Sequence, residues 1–321
     1  MKSKLFIGVD IGGTKILTGL VNDRGQILAR RKSPAPKKSN PKSILKIISE
    51  LMEDLLKKER LTFKSIAGIG LGVPGIVDPQ KGKILITPNT NLSGFALGPA
   101  LKNKFKLNVA IGNDVNLGVL GEKWLGAGKK AKNLIGIFPG TGVGGGIIAN
   151  GQLLIGAHGA AAELGHIIMD RNGPLCTCGN QGCLEAMTGR WAIERDIRQA
   201  VKNKHKTIIT KLSSGKLDVI KSRMLREALD KKDPLIIQIM TKVSKTLGLA
   251  CVSIRHLFDP EIIIFGGGVI EACGDFMLPI IKKTTEKDPL FSKIPKCKIV
   301  ESQLGDDAVL LGAVALVRGL D

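Results

Sequence analysis

One stretch of the sequence, Glu163 to Glu185, constrains the fold more than any other. It places one histidine and three cysteines within eighteen residues, in the order His166, Cys176, Cys178 and Cys183. Three thiolates and one imidazole form the tetrahedral ligand set that zinc prefers, and an enzyme of the cytosol has little use for disulfides. Because protein would fill all four positions, the sequence predicts a closed, structural zinc site.

The predicted zinc loop carries an acidic residue at each end. Glu163 lies three residues before the histidine ligand, and Glu185 lies two residues after the last cysteine. A metal-bound loop would hold both carboxylates beside one rigid segment. The alternative is a chance gathering of these side chains in a glycine-rich loop, which the spacing disfavours.

The composition indicates a globular protein with two domains. The chain has 321 residues, of which 43% are hydrophobic. No continuous apolar run reaches the ~18 residues of a membrane-spanning helix, and the first residues lack the apolar segment of a signal peptide. The net charge of +20 is spread over short lysine runs, which indicates solvated surface. We therefore expect a cytoplasmic protein with no membrane or nucleic-acid partner.

A glycine turn follows the first predicted strand, Leu5 to Asp10. The sequence Ile11-Gly12-Gly13-Thr14-Lys15 leads directly into a second strand, Ile16 to Val21, and a third strand runs from Gln26 to Lys32. The turn leads into a strand and lacks the G-x-x-x-x-G-K-[ST] pattern, so it is not a Walker loop. Since a glycine backbone can approach an anion closely, the sequence predicts a phosphate-binding hairpin.

Two further glycine runs follow predicted strands. Leu134 to Phe138 leads through Gly140-Thr141-Gly142-Val143-Gly144-Gly145-Gly146 into a strand over Ile147 to Ala149, which predicts a second hairpin of the same kind. Pro260 to Phe265 opens through Gly266, Gly267 and Gly268 into a helix. These three glycines suit contact with an adenine or ribose, and the alternative is a tight strand-to-helix turn.

The buried strand Ile66 to Val73 opens a pattern, Gly70 to Gly75, that formally matches the dinucleotide fingerprint G-x-G-x-x-G. Pro74 and the turn at residues 77–79 leave no helix to bind a pyrophosphate, so we reject a Rossmann site. Gly75 would serve either a close approach to a ligand or a tight turn. Asn89 and Asn91, in the next loop, are either substrate contacts or turn formers.

Asp114 follows the predicted strand Val109 to Asn113 and precedes a helix over Val115 to Trp124. One interpretation is that an aspartate in this position serves as a helix N-cap and has no other role. In an open α/β sheet, however, ligands gather outside the carboxyl ends of the strands, which favours a functional role.

Apolar residues at helical spacing predict the remaining helices. They cover Ile44–Leu56, Arg190–Lys202, Lys216–Leu229, Asp233–Phe258 and, as a closing amphipathic helix, Gly305–Arg318. A short extended segment is expected at Lys298–Glu301. Cys251, Cys273 and Cys297 lack ligand-like spacing and are expected to pack in the interior.

The two hairpins imply a duplicated architecture, with nucleotide held in a cleft between two α/β lobes. We expect a small lobe formed by residues 1–112 and 305–321, which carries the first hairpin. Residues 113–304 would form a large lobe with the second hairpin, the zinc site and the adenosine-binding glycines.

Taken together, these motifs resemble those of the ROK family (repressor, open reading frame, kinase) within the actin-like ATPase superfamily, nearly end to end. The matching segments are D-I-G-G-T-K at Asp10–Lys15, G-V-P-G at Gly72–Gly75, N-D at Asn113–Asp114, G-T-G-V-G-G-G at Gly140–Gly146, E-L-G-H with the cysteine run, and G-G-G-V. The resemblance implies an actin-like ATPase (ribonuclease H-like) fold and ATP-dependent phosphorylation of the 6-hydroxyl of a hexose.

The resemblance also implies roles for individual residues. Asp114 would be the general base, and the sugar hydroxyls would be contacted by Gly75, Asn89 or Asn91, Asn113, Glu163, His166 and Glu185. The nucleotide would be bound by Asp10, Gly12, Gly13, Thr14, Lys15, Gly140, Thr141, Gly142, Gly144, Gly266, Gly267 and Gly268. Asp10 would hold Mg²⁺ through water, and Lys15 would steady a phosphate.

The substrate is expected to be glucose, because G-A-A-A-E-L-G-H and the cysteine run are most similar to the bacterial glucokinase pattern. N-acetylmannosamine and N-acetylglucosamine are the alternatives, since related kinases of those sugars carry the same contact residues. Glucokinases of the family usually have P-N-L-P-G-W where this chain has Pro88 to Phe95, so the choice between Asn89 and Asn91 stays open.

Two other functional classes are considered. A DNA-binding regulator of this family has a helix-turn-helix before the kinase body, and we expect none here because the first phosphate strand starts at Leu5. A sugar sensor without catalysis would lose the base or a phosphate loop, and both are intact. We expect ATP, Mg²⁺ and structural Zn²⁺ as cofactors, and a homodimer or homotetramer.

Overall fold

A computed structural model describes residues 3–36, 40–87 and 91–321. Its strands are β1 (Leu5–Ile11), β2 (Lys15–Asn22), β3 (Ile27–Pro34), β4 (Ile66–Val73), β5 (Ile76–Asp78), β6 (Lys83–Ile86), β7 (Val109–Asn113), β8 (Leu134–Pro139), β9 (Val143–Ala149), β10 (Gln152–Leu153), β11 (Ile262–Phe265) and β12 (Lys298–Glu301). Its helices are α1 (Pro41–Lys58), α2 (Leu97–Phe105), α3 (Asp114–Leu125), α4 (Leu184–Thr188), α5 (Arg190–Lys202), α6 (Ile209–Leu212), α7 (Ser222–Asp230), α8 (Pro234–Phe258), α9 (Gly268–Thr285) and α10 (Ala308–Val317).

The chain forms two compact units. The first comprises Met1–Lys132, Gly146–Ala162 and Asp306–Asp321, and the second comprises Asn133–Gly145 and Glu163–Gly305. The division expected from the sequence differs, since it assigns α3 to the large lobe. In the structure α3 packs along α10 within the first unit.

The sheet of the first unit has the strand order β3-β2-β1-β4-β7. β1 pairs antiparallel with β2, whereas β1, β4 and β7 run parallel. The register aligns Asp10 with Gly72, and Gly72 with Gly112. The carboxyl ends of the three parallel strands are therefore level, which brings Asp10 and the residues after β7 to the same edge of the sheet.

The N-terminus of α1 shows how local sequence sets a helix boundary. The side chain of Asn40 accepts a hydrogen bond from the Ser43 amide at 2.9 Å, and the Ser43 hydroxyl accepts one from the Asn40 amide at 3.1 Å. Pro41 occupies the first turn, where a missing N–H costs nothing. This reciprocal cap begins the helix three residues before the predicted apolar stretch.

α10 is buried on almost every side, so the prediction of an amphipathic closing helix is wrong. Eight of its ten residues are buried, and the helix packs against α3, β1 and β4. Glycines permit this close approach. A Cβ at Gly70 would lie 1.8 Å from the carbonyl oxygen of Ala313, and a Cβ at Gly312 would lie 1.7 Å from that of Leu117.

The second sheet has the order β10-β9-β8-β11-β12, and the chain passes from the second unit to the first within β9. In the second unit β11 runs parallel to both β8 and β12. The second glycine turn is shorter than predicted, because β9 begins at Val143 and includes Gly144. The predicted helix over Lys216–Leu229 is also shorter, since α7 begins only at Ser222.

One helix among the described residues, α8, is long and apolar enough to cross a membrane by length and composition. Asp233 caps its N-terminus, and its buried face packs against α9 in the second unit. Its most apolar 18-residue window is 44% buried inside the protein. A core helix of a globular unit has the same properties, so α8 is weak evidence for a membrane span.

Gly312→Ala is expected to destabilise the first unit, because its methyl group would clash with backbone in α3. Overpacking against a backbone atom should cost about 2–4 kcal/mol and lower the Tm by at least about 5 °C. Gly13→Ala is the matched control, since a Cβ there meets nothing within 4 Å. Thermal unfolding by circular dichroism measures both. Equal Tm values for the two variants would contradict the close packing of α10.

Candidate active-site residues

Asp114 is held at the carboxyl end of β7 by the start of α3. The N-cap of that helix is Asn113, whose Oδ1 accepts a hydrogen bond from the Asn116 amide at 2.9 Å. The Asp114 carboxylate accepts from the Val115 amide at 2.9 Å. The N-cap of α3 is therefore Asn113 and not Asp114, so the interpretation of Asp114 as an N-cap is wrong. The positive end of the helix dipole favours a carboxylate at this position.

Asn113 also links β7 to the turn after β4. Its Nδ2 donates to the carbonyl oxygen of Gly75 at 3.0 Å. Gly75 has φ +96°, and a Cβ there would lie 2.1 Å from the Ile86 carbonyl oxygen. The turn therefore requires glycine whether or not a ligand contacts it, and the predicted substrate contacts of Gly75 and Asn113 remain predictions.

Of the two loop asparagines, one is among the described residues. Asn89 lies outside the described residues. Asn91 is exposed in a turn before α2. The choice between them as the substrate contact therefore stays open.

Asp10, at the carboxyl end of β1, is close to a second carboxylate. Burial, followed by the negative charge of Asp114, raises the pKa of Asp10 to about 7, while Lys15 lowers it and Asp306 raises it. Two neighbouring carboxylates that repel each other are a favourable oxygen-ligand environment for a hard cation such as Mg²⁺. The group therefore fits a metal ion held at Asp10.

Lys15 lies at the end of the first hairpin and forms an ion pair that the sequence did not predict. Its Nζ lies 2.7 Å from Oδ2 of Asp306, and Arg30 pairs with Asp307. Both aspartates precede α10 in the run Gly305-Asp306-Asp307. Two adjacent acidic residues before an apolar helix were the only available signal for this pairing.

The first hairpin turns between β1 and β2 with the Gly12 amide bonded to the Lys15 carbonyl oxygen at 2.9 Å. Gly13 and Thr14, at its tip, are exposed. Gly13 has no positive φ, and a Cβ there would meet nothing within 4 Å. The fold alone thus gives no reason for glycine at this position, whereas close approach of a phosphate does.

The four predicted zinc ligands come together in the second unit. The ligand atoms of His166, Cys176, Cys178 and Cys183 all lie within 4.8 Å of one another. The Cys178 and Cys183 sulfurs are 3.7 Å apart, and Cys176 Sγ is 3.7 Å from His166 Nδ1. Sulfurs bound tetrahedrally to one zinc at ~2.3 Å lie ~3.8 Å apart, whereas a disulfide requires ~2.05 Å. The donor set and its spacing therefore fit zinc.

Backbone contacts form the loop that carries these ligands. The Cys176 amide bonds to the Asn180 carbonyl oxygen at 2.8 Å, and the Gly182 amide to that of Pro174 at 2.8 Å. Gly182 has φ +74°, and a Cβ there would lie 1.6 Å from the Asp170 carbonyl oxygen. Only glycine fits, and the next residue, Cys183, directly precedes α4.

The two acidic residues at the ends of the loop lie in different surroundings. Much of the Glu163 residue is exposed to solvent, but its carboxyl group is partly covered by neighbouring residues. This partial burial raises the pKa of the carboxyl group, His166 lowers it, and the charge of Glu185 raises it. Glu185 is half-buried in the first turn of α4. Its proximity to Glu163 in the same unit agrees with the prediction that one loop holds both carboxylates.

Glu185 connects the cysteine loop to the second hairpin. One carboxylate oxygen accepts from the Val143 amide at 2.9 Å, and the other lies 3.3 Å from the Thr177 hydroxyl and 3.4 Å from Nε1 of Trp191. A Cβ at Gly142 would lie 2.1 Å from this carboxylate. Gly142 is therefore explained by the approach of Glu185, and a nucleotide contact there remains a prediction.

Arg190, which the sequence did not single out, also contacts this hairpin. Its amide bonds to the Gly140 carbonyl oxygen at 3.0 Å, and its guanidinium donates to the Thr141 hydroxyl at 3.0 Å. Gly140 has no positive φ, and a Cβ there would meet nothing within 4 Å. Like Gly13, it is a hairpin glycine that the fold does not require. Gly144 lies within β9 and outside the turn, so its predicted role has less support.

The third glycine run joins β11 to α9. A Cβ at Gly266 would lie 2.5 Å from the Phe138 ring, and Gly267 has φ +81°. Packing and backbone geometry thus explain the first two glycines. Gly268 begins α9 and is exposed, with only the Ser222 hydroxyl near a Cβ built there, at 3.9 Å. It is the glycine of the three with room for a ligand.

Comparison with known proteins identifies what the chain resembles. A family profile described as "ROK: ROK family" matches residues 6–319. A glucokinase of Thermotoga maritima is 33% identical over 313 residues, covering 97% of this chain and 96% of the relative. A xylose repressor of Caldicellulosiruptor bescii is 30% identical over 315 residues, covering 97% of this chain but 77% of the relative.

Among solved structures, a ROK family glucokinase from Streptomyces griseus in complex with glucose and AMPPNP superposes with a TM-score of 0.83. It is 32% identical, and the match covers 98% of this chain and 99% of that chain. The predicted fold class, the actin-like ATPase fold of ROK sugar kinases, is confirmed.

Asp10→Asn is expected to stabilise the metal-free protein at alkaline pH. The pKa of Asp10 is about 7 in the folded state, whereas the ordinary value of an aspartate is 3.8. Between pH 3.8 and pH 7 the folded state therefore binds more protons than the unfolded state. The protonated Asp10 contributes to the free energy of unfolding at low pH, and this contribution is lost as the pH rises through 7. At pH 8 in EDTA, the variant should be roughly 4 kcal/mol more stable than wild type, and at pH 5 the difference should shrink to less than half of that.

Thermal unfolding at the two pH values measures this difference. Glu59→Gln, which neutralises an exposed carboxylate of the same unit, should show no such pH dependence. An Asp10→Asn variant less stable than wild type at pH 8 in EDTA would show that the carboxylate is not under the repulsion described.

Proposed function

Because the chain belongs to the ROK family, we propose that it is an ATP-dependent kinase that transfers a phosphoryl group to the 6-hydroxyl of glucose. The similarity to glucokinases over nearly the full length of both chains supports this reaction. The observation that carries the proposal is the pair Asp10 and Asp114 at level strand ends beside the first hairpin. A sugar-binding protein without catalysis has no need for two interacting carboxylates at that place.

Asp114 is the proposed general base. The Val115 amide fixes one carboxylate oxygen, which orients the group to accept the proton of the sugar hydroxyl as the phosphoryl group is transferred. A sugar hydroxyl is a weak acid, so the proton moves late and Asp114 acts mainly by orienting the nucleophile. Asp114 lies in the first turn of α3, where the positive end of the helix dipole favours a negative charge.

The glycine hairpins are the proposed phosphate sites, and Gly13 and Gly140 are the glycines, one in each hairpin, that the fold itself does not require. Mg²⁺ bound through water at Asp10 would neutralise charge on the ATP phosphates. Lys15 forms an ion pair with Asp306. This ion pair determines the position from which the positive charge of Lys15 would act on the phosphates. The exposed Gly268 at the N-terminus of α9 is the proposed contact to adenosine.

The cysteine loop is the proposed sugar-recognition element, with zinc as its structural centre. Cys176 faces Nδ1 of His166, which makes Nδ1 the proposed metal ligand and leaves Nε2 for a sugar hydroxyl. Glu163 and Glu185 complete a set of one imidazole and two carboxylates beside one loop. Such a set discriminates against analogues that lack the matching hydroxyls, because its polar groups would be left unpaired.

Two alternatives follow from the same residues. The three sugar contacts do not decide whether the 2-position carries a hydroxyl or an acetamido group, so N-acetylmannosamine and N-acetylglucosamine remain candidate substrates. The xylose repressor similarity makes a regulator the second functional class. We place the protein in the cytoplasm, as a homodimer or homotetramer.

Steady-state kinetics with ATP and a panel of sugars tests the substrate. The panel contains glucose, mannose, fructose, N-acetylglucosamine and N-acetylmannosamine, and we expect the highest kcat/KM for glucose. A preference for either acetamido sugar would overturn the choice of glucose but keep the kinase. The lack of turnover on every sugar would favour the regulator.

Asp114→Asn is expected to lose most turnover while it retains the fold and the affinity for glucose. Removal of a positioned base should lower kcat by about 10²–10⁴-fold. Rapid-quench measurement of kcat and calorimetric measurement of glucose binding separate the two effects. If kcat stayed within a factor of about three of wild type, Asp114 would not be the base.

Cys178→Ser is expected to lower the zinc content below one per chain and to weaken glucose binding by about 10-fold or more. The affinity for an ATP analogue should fall less, because the loop that carries the cysteines contacts the second hairpin locally, at Val143, through the Glu185 hydrogen bond and the packing of Gly165. Elemental analysis and calorimetry measure these effects, and Cys297→Ser is the control thiol outside the cluster. Unchanged glucose affinity in a zinc-free variant would exclude a role for the metal in recognition.

A further inference from the structure

The second unit contains a cavity of about 500 Å³ that none of the proposed catalytic residues lines. It lies among the C-terminal ends of α8 and α9 and the segment that leads into β12. Lys298 lines the cavity and is the strand-register partner of Ile262, at the amino ends of the parallel strands β12 and β11. The glycine run Gly266 to Gly268 follows the opposite, carboxyl end of β11. An occupant of the cavity would therefore not compete with nucleotide at Gly268.

Arg255 lines this cavity and is a buried cation that forms no ion pair with any described residue. The residue is 5% exposed, and its guanidinium lies 4.4 Å from the ring centroid of Phe291. Its Nε–H is buried and has no hydrogen-bond acceptor within residues 3–36, 40–87 and 91–321. A cation–π contact compensates only part of the cost of burying a charge, which is large when no anion is near.

The acidic groups of the cavity wall already have other partners. Asp288 lies 2.7 Å from His256, and Glu286 lies 3.2 Å from Lys296. The Cys297 thiol is neutral at pH 7, because burial raises its pKa to about 11. No wall group in the described part of the chain therefore balances the charge of Arg255.

The remaining cations of the wall add to this excess. The lining includes four basic residues, Arg255, Lys282, Lys296 and Lys298, and two acidic ones, Glu286 and Asp288, which leaves a formal charge of +2. Of the lysines, only Lys296 has an ion pair among the described residues. The cavity is thus complementary to a dianion.

We propose that this cavity binds a dianionic phosphate group, either free or as the ester of a small metabolite, with Arg255 at its base and Lys282 and Lys298 beside it. The planar guanidinium matches the spacing of two phosphate oxygens and is the side chain best suited to such a buried contact. Apolar residues of the same wall, Ile294, Ile299 and Val300, offer room for the organic part of an ester.

Thermal unfolding of the full chain tests the site with two probes, inorganic phosphate and glycerol 3-phosphate, each compared with chloride at equal ionic strength. The wild-type Tm should rise by roughly 5 °C at a probe concentration of about 100 times Kd. Glycerol 3-phosphate lacks a ring sugar, so it avoids the proposed sugar site, and the variants below distinguish the cavity from the phosphate sites proposed at the glycine hairpins. A larger rise with glycerol 3-phosphate assigns the site to a metabolite, and equal rises assign it to free phosphate.

Three variants locate the effect. Arg255→Met should lose the rise and, in chloride, be at least as stable as wild type, because an unpaired buried charge has been removed. The double variant Lys282→Met/Lys298→Met should also lose the phosphate-induced increase in Tm. It tests the location of the site if Arg255→Met fails to fold. Lys245→Met, which removes an exposed charge from α8 outside the cavity, should retain the full rise.

Two results would overturn the proposal. One is a wild-type Tm that rises no more with either phosphate than with chloride. The other is a rise that persists in the double lysine variant and in any folded Arg255→Met protein, which would place the bound phosphate elsewhere.

Discussion

The clustering of His166, Cys176, Cys178 and Cys183 is the constraint on which the proposed recognition site depends. Cys183 directly precedes α4, so the position of the cluster sets the position of Glu185 in the first helical turn. Glu185 in turn bonds to the Val143 amide. A single loop therefore determines where one proposed sugar contact lies and which group the Val143 amide of the second hairpin bonds to.

The first unit depends on a different constraint, which is electrostatic. Level strand ends place Asp10 and Asp114 close enough for their charges to interact, and the buried α10 supports the sheet beneath them through glycine contacts. The closeness of the two carboxylates lowers the stability of the protein without a cation, and a bound cation would make it favourable. Burial and, after it, the negative charge of Asp114 raise the pKa of Asp10, and a bound cation would stabilise the ionised carboxylate against both, which is the physical reason for a metal requirement in the proposed reaction.

The sequence predicted β4 and β7 at the residues where they occur, since both are short apolar runs with clear ends. It also predicted that His166, Cys176, Cys178 and Cys183 come together, because their spacing is local. It did not predict the start of β9, since three consecutive glycines resemble a turn, nor the burial of α10. The pairing of Lys15 with Asp306 spans 291 positions, and the second role of Glu185 requires Val143 to be near. Such contacts depend on the tertiary fold, which residue spacing does not encode.

The central claim is that three cysteines and one histidine bind one zinc ion and thereby order the recognition loop. Zinc K-edge X-ray absorption on the purified protein tests it most directly. The account predicts one zinc per chain with three sulfur neighbours at ~2.3 Å and one nitrogen neighbour at ~2.0–2.1 Å. A protein that folds fully without zinc, or a zinc shell composed mainly of oxygen, would contradict it.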